Sequence, residues 1–181
     1  YVYGPKDIKK FFDNIVHSAY FGEGLNVKVI EFKEGKILET DKFIVEAVEL
    51  KHSVPSYGFI FKEKDKRKID VNYTSKFGLT QHPILGELQK GKDIVWEGKK
   101  ISVNKATKLI EGKKFGIIWD TGLCGGCGKV AKDADLLICE STYSDKEKDK
   151  AKEYLHLTAK QAGEIAKKGK SKRLMLHHFS Q

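Results

Sequence analysis

Several short apolar runs in this chain end on a side chain that can hold a metal ion or move a proton. Asp120 follows the run 115–119, Glu140 follows 135–139, and His177 with His178 follow 173–176. His52 stands just past the run that ends at Leu50, and His156 comes directly before a helical segment. An aspartate, a glutamate and several histidines have the composition of a metal site. Imidazole and carboxylate suit zinc, and a carboxylate can bridge two ions. The plainer alternative is that these are unrelated loop residues. A second motif, Cys124-Gly-Gly-Cys127, has CxxC spacing after an apolar run and before a helix. It fits a thioredoxin-like redox pair, half of a zinc knuckle, or an ordinary loop. There is no second CxxC, and the loop reading is the one favoured here.

The elements that would position these residues can be read from spacing. Pro5 suits a first helical turn, and Ile8, Phe11, Phe12, Ile15 and Ala19 recur at helical intervals. Strand-like segments follow at 26–32, 43–48 and 57–61. The last third alternates strand 115–119, helix 128–132, strand 135–139, helix 158–168 and strand 173–176. Thr158 and Gln161 have capping-box spacing, and Gly169 is a plausible stop. Such alternation is the signature of a parallel sheet. Strand ends then share one edge, where the crevice of an open α/β sheet lies. Between these regions, 62–92 is charged, then punctuated by Gly and Pro, with weak periodicity. It reads as a long irregular excursion, and such segments are usually functional or mobile.

Composition narrows the class. The 181 residues are 40% apolar and 33% charged, which suits one globular domain with a sizeable core. No apolar run nears the roughly 18–20 residues that span a membrane, and no signal-peptide pattern is present. The net charge is +9, from 34 basic and 25 acidic residues, and every basic residue but Arg67 and Arg173 is Lys. This balance suits a polyanionic partner such as nucleic acid; a solvated Lys/Glu surface of a heat-adapted protein is the competing explanation. Three cysteines make no disulfide framework and point to a reducing cytoplasm.

The runs "IWDTGLCGGCGKVAKDADLLICESTY", "YLHLTAKQAGEIAKKG" and "RLMLHHFS", with "YVYGPKDIKKFF" and "HSVPSYGFIF" upstream, are similar in order and type to the ribonuclease Z family. These are the tRNA 3′-end processing endonucleases of the metallo-β-lactamase superfamily. The resemblance implies an α/β fold, the αβ/βα sandwich, with residues 1–181 forming mostly its second half. It implies two zinc ions per subunit, with His52 a ligand of one, His178 of the other, and Asp120 bridging both. His177 stands where the family often has Thr and is expected to be a non-ligand neighbour. Glu140 and His156 resemble a pair in which the histidine assists proton transfer at the leaving group. Residues 65–91 occupy the place of a flexible arm that grips tRNA, with Lys64, Lys66, Arg67, Lys68, Lys90 and Lys92 supplying charge. The arm's tip departs from the family pattern at Gln81-His82-Pro83, and His82 is expected to be no ligand. The resemblance further implies precursor tRNA as substrate and a homodimer.

The family's H-x-H-x-D-H motif, which supplies further ligands to both ions, is absent from these residues. Neither an initiator Met nor the Arg-Tyr that usually follows "HFS" is present. The expectation is therefore a truncated chain that holds two zincs and cleaves RNA only with its upstream half supplied. Two rivals stand beside this reading: another metallo-β-lactamase-fold hydrolase of small phosphodiesters or esters, and a non-catalytic tRNA-binding remnant.

Overall fold

A computed structural model describes residues 1–18 and 26–180. The chain opens with β1 (Val2–Gly4), α1 (Ile8–Ser18), β2 (Val29–Glu31), β3 (Gly35–Glu39), β4 (Phe43–Glu49) and β5 (Tyr57–Glu63). It continues through β6 (Lys66–Ile69), α2 (Val71–Thr74), α3 (Leu85–Gln89), β7 (Ile94–Trp96), β8 (Lys99–Ile101), α4 (Val103–Ala106) and β9 (Thr107–Ile110). The last third holds β10 (Lys114–Ile118), α5 (Gly125–Ala131), β11 (Leu136–Glu140), α6 (Lys148–Glu153), α7 (Ala159–Lys168) and β12 (Leu174–His177). Two compact units result, one made of residues 1–62 with 114–181 and the other of 63–113.

In the larger unit six strands form one sheet in the order β12-β11-β10-β5-β4-β3. The strand–helix alternation yields the expected parallel set: β10 runs parallel to β11, and β11 to β12, while β5 pairs antiparallel with β10. Helices α5 and α7 pack on this set. Cys127, Val130 and Ala131 from α5 and Ala162, Ile165 and Ala166 from α7 meet Ile118, Leu137 and Cys139 of the strands in one buried cluster. Four of these six helix residues are Cys or Ala, which lets the backbones approach closely. A Cβ on Gly116 of β10 would lie 2.7 Å from the Val130 carbonyl oxygen.

Two local expectations change. Helix α5 begins at Gly125, three residues before the spacing predicts, because tertiary contact overrides the weak helical preference of Gly-Gly. A Cβ on Gly126 would lie 2.3 Å from the Glu49 carbonyl, so only glycine fits there. Gly169 does end α7, but with a right-handed φ of −73°. It is held glycine by packing, since its Cβ would sit 2.7 Å from that of Ala131. The left-handed residue is Lys170, at φ 56°. Helix α1 has the expected position and buries none of its residues, and Ala19 lies outside the described residues.

The smaller unit corrects the expectation of an irregular excursion over 62–92. Residues 63–113 hold two antiparallel ladders, β6/β9 and β7/β8, and a core of their own. Leu79, Leu88, Ile94, Ile101, Val103 and Ala106 are its buried residues. Each element is only three to five residues long. No period develops over the roughly 11–18 residues in which a sequence pattern becomes readable. Residues 65–91, the expected arm, lie within this unit, whose last strand β9 falls beyond them.

Candidate active site

Parallel pairing of β10, β11 and β12 brings their C-terminal ends to one edge, and Asp120, Glu140 and His178 arrive there together. Glu140, the last residue of β11, has no exposed surface. One of its oxygens accepts the Thr121 N–H at 2.8 Å and the His156 Nδ1–H at 2.9 Å. The other accepts the Thr142 N–H at 3.1 Å, the Thr142 hydroxyl at 2.8 Å and the Leu157 N–H at 3.1 Å. Five donors thus converge on one buried carboxylate, which removes the penalty such a group otherwise carries.

His156 is placed by what surrounds it in the chain. Its N–H bonds the Ala151 carbonyl at 2.8 Å, and Leu155 before it turns through a left-handed φ of 55°. Two residues later Thr158 caps α7 with the predicted capping box: its hydroxyl accepts from Gln161 N–H, and Gln161 accepts from Thr158 N–H. The imidazole is therefore anchored from both sides.

His178 follows β12 at φ 58°, a left-handed conformation that few residues other than Gly adopt and that His tolerates better than most. The turn swings its ring toward Thr142, whose Oγ1 lies 2.7 Å from His178 Nδ1. Thr142 has one hydroxyl hydrogen, and that goes to Glu140. The bond to His178 is therefore donated by Nδ1–H, which in the neutral ring leaves Nε2 as a lone pair. His156 has the same arrangement, with Nδ1–H on Glu140 and a longer 3.2 Å approach to the Thr142 hydroxyl. His52 Nδ1 donates to the Leu155 carbonyl at 3.0 Å, so its Nε2 is likewise free to accept. Sequence reasoning missed Thr142 and Leu155. Thr142 stands two residues past a candidate site residue, but nothing in its spacing says that its hydroxyl would reach His178.

The other expected residues divide. Asp120 Oδ1 lies 3.5 Å from His178 Nε2, with both side chains about 40% exposed. Asp120, His156 and His178 each bring one ligand atom within 4.8 Å of the others. His52 is outside that triad, with its ring centroid 5.0 Å from that of His156. His177 points its Nε2 at the Ile118 carbonyl, 3.2 Å away, and rests edge-on against Trp119. In the smaller unit, His82 Nδ1 accepts the Ile84 N–H at 3.2 Å and packs on Trp96. Lys66 and Lys68 lie on one face of β6, and Lys68 is directly opposite Lys108 of β9. Arg67 donates to the Thr107 hydroxyl at 3.1 Å. Lys90 and Lys92 both hold Glu87, and their hydrogen bonds keep its carboxyl below the usual carboxylate value. Lys64 precedes β6 and is half-buried.

The donor set fits a divalent metal. A carboxylate oxygen and an imidazole lone pair face each other at Asp120–His178, an arrangement that a cation between them would relieve. All three histidines have Nδ1 committed to oxygen acceptors, the support that metal-binding imidazoles ordinarily receive.

No family model matches the chain. It is 37% identical over 180 residues to Ribonuclease Z of Thermococcus onnurineus, covering 98% of this chain and 57% of that protein. It is 33% identical over 179 residues to Ribonuclease Z of Protochlamydia amoebophila, covering 98% and 58%. The structure of human tRNase Z, short form, matches with a TM-score of 0.59 at 25% identity, over 99% of this chain and 60% of that one. The metallo-β-lactamase fold protein YhfI from Bacillus subtilis matches with the same TM-score at 16% identity, over 99% and 52%. The fold is that of the metallo-β-lactamases. The chain spans between one half and two thirds of the length of the relatives it matches.

Proposed function

We propose that this chain, similar to ribonuclease Z over nearly its whole length, is the larger part of a zinc-dependent endonuclease that removes the 3′ trailer from precursor tRNA. The observation that supports this most directly is the buried Glu140 carboxylate holding His156 at 2.9 Å, beside the Asp120–His178 pair. His52, Asp120 and His178 would hold zinc, with further ligands from a segment carrying the H-x-H-x-D-H motif of the family that the sequence resembles. Bound zinc lowers the pKa of a water toward neutrality and stabilises charge on a phosphoryl group.

The chain's own residues supply the rest of the chemistry. Glu140, behind His156, stabilises the protonated imidazole and fixes the ring so that Nε2–H faces outward. From there it can protonate the departing ribose 3′ oxygen as the P–O3′ bond breaks. Water oxygen stays on phosphorus, which leaves a 3′-hydroxyl on the tRNA and a 5′-phosphate on the trailer. The basic strands of the smaller unit would grip phosphates. Lys68 opposite Lys108 places like charges across a ladder, a pairing that an anion stabilises. A homodimer in the cytoplasm, with two zincs per subunit, completes this reading.

The test is cleavage of a precursor tRNA by zinc-loaded protein with the relatives' upstream segment joined to Tyr1. One cut leaving a 3′-hydroxyl is expected, and His156→Ala should slow it about 10²–10⁴-fold. Lys68→Glu with Lys108→Glu should weaken tRNA binding and flatten its salt dependence while sparing a small phosphodiester substrate. Turnover of the small substrate with no cut in tRNA would favour a different hydrolase of this fold. Salt-dependent tRNA binding without any turnover would favour a binding remnant.

A further inference from the structure

Cys124 and Cys127 take no part in the hydrogen bonds that orient the three imidazoles, yet their sulfurs lie 3.7 Å apart. Cys124 caps α5 in an extended conformation, and the Cys127 N–H bonds its carbonyl at 3.2 Å. The backbone thus already folds the two side chains toward each other. A disulfide needs about 2.05 Å between sulfurs, so small rotations about χ1 have to close roughly 1.7 Å.

The two thiols have unequal surroundings. Cys124 is partly exposed and lines a cavity of about 170 Å³ with Leu123, Gln161, Glu164 and Lys168. Cys127 lies beneath it with no exposed surface. Burial works against ionisation of Cys124. Hydrogen bonding with the Cys127 backbone, the Thr121 side chain, the Cys127 side chain and the Gly126 backbone together outweighs it and holds this thiol below its usual value. Burial pushes the Cys127 thiol up to about 12. A reachable thiol that ionises more readily, above a buried one that ionises less readily, is the division of labour of an attacking and a resolving cysteine. A metal knuckle fits less well. Among the described residues no third His, Cys, Asp or Glu donor groups with the pair, and structural zinc takes three or four protein ligands.

We propose that Cys124 and Cys127 form a reversible dithiol–disulfide centre that exchanges with small disulfides of the glutathione class. The Cys124 thiolate attacks one sulfur of the oxidised compound, breaking its S–S bond and releasing one thiolate. Cys127 then attacks Cys124 Sγ, passes its proton to a released thiolate, and expels the second. One small disulfide becomes one thiol and one thiolate, which takes from water the proton that Cys124 lost on ionising, and two electrons leave the protein as the Cys124–Cys127 bond forms. This centre stands independently of the nuclease reading, because neither sulfur touches the proposed zinc ligands.

The experiment equilibrates the folded chain with glutathione buffers of graded ratio, quenches with acid, and alkylates the denatured protein for peptide mapping. In oxidising buffer two of the three thiols should be lost to alkylation together, Cys139 should stay alkylated, and dithiothreitol should reverse the change. Cys127→Ser should instead stop at one glutathionyl group on Cys124, and Cys124→Ser should leave Cys127 unreacted. Circular dichroism of each variant checks that it is folded. Three alkylated thiols at every ratio in the wild-type chain would overturn the proposal. So would a glutathionyl adduct on Cys124 that persists while Cys127 remains free.

Discussion

The Thr142 hydroxyl meets His178 Nδ1 at 2.7 Å across 36 residues of sequence, while its own hydrogen goes to Glu140 Oε2 at 2.8 Å. One hydroxyl therefore selects the tautomer of a proposed ligand. In Thr142→Val the shape is kept and the acceptor lost, so Nδ1–H is no longer favoured at His178. Imidazole ¹⁵N shifts should move from a single Nδ1–H form to a mixture. Zinc affinity should fall about 10–100-fold, as for other residues that support metal ligands. Thr142→Ser should restore both. A Val variant with unchanged ¹⁵N shifts would remove Thr142 from this role.

Glu140 accepts five hydrogen bonds with no access to water. Glu140→Gln keeps the size but turns one acceptor into a donor facing other donors. Destabilisation of about 2–4 kcal/mol is expected, the scale of a buried charged acceptor lost with donors left unmatched. Urea unfolding measures it. A loss under 1 kcal/mol would mean the network rearranges freely.

Two glycine substitutions should act in opposite directions. Gly126→Ala drives a Cβ to within 2.3 Å of the Glu49 carbonyl oxygen, and separating α5 from β4 should cost about 1–3 kcal/mol. Gly163, inside α7, has open space around its Cβ position. Gly163→Ala should stabilise by about 0.5–1 kcal/mol through helix propensity. Thermal melts of the two variants should move apart.

Thr158→Ala removes the side-chain half of the capping box and should cost about 1 kcal/mol. The cap lies two residues past His156, so fraying should reach that ring. Broadened His156 resonances accompanying the fall in Tm are the expected result. Sharp lines would place the anchoring of His156 entirely on Glu140.

Buried thiols give the protein an alkaline limit. Burial raises Cys127 to about 12 and raises Cys139 as well, from an ordinary value of 9.0. The unfolded chain then loses these protons at a lower pH than the folded one, so stability falls as pH rises. Their contribution is whole below pH 9 and is lost between there and the folded values. Unfolding free energy measured from pH 8 to 10 should decline, and Cys127→Ala should decline less steeply. In the same range Cys124, whose thiol is held low, should react with iodoacetamide at a lower pH than a free thiol.

Much of this arrangement was legible in the amino acids. The strand–helix alternation after residue 114 implies a parallel sheet, and parallel strands must present Asp120, Glu140 and His178 on one edge. The capping box at Thr158 and Gln161 is local chemistry, and it formed as read. The core of residues 63–113 was not legible, because its apolar residues are shared among elements too short to show a period. Nor was the start of α5, where contact with the Glu49 carbonyl prevails over the propensity of Gly125 and Gly126.

By itself the sequence determined which groups reach the site edge, since strand direction and side-chain type are properties of short segments. Only the tertiary structure decided how those groups are wired. Thr142 to His178, Leu155 to His52 and Thr121 to Glu140 are contacts between segments whose separation along the chain sets no distance. The left-handed turn at Leu155 is not what its side chain prefers, and packing around it supplies the difference. The same holds for the two cysteines. Their spacing allowed a redox pair, a metal knuckle or a loop, and only the tertiary structure decided that their sulfurs lie 3.7 Å apart with one partly exposed and the other buried.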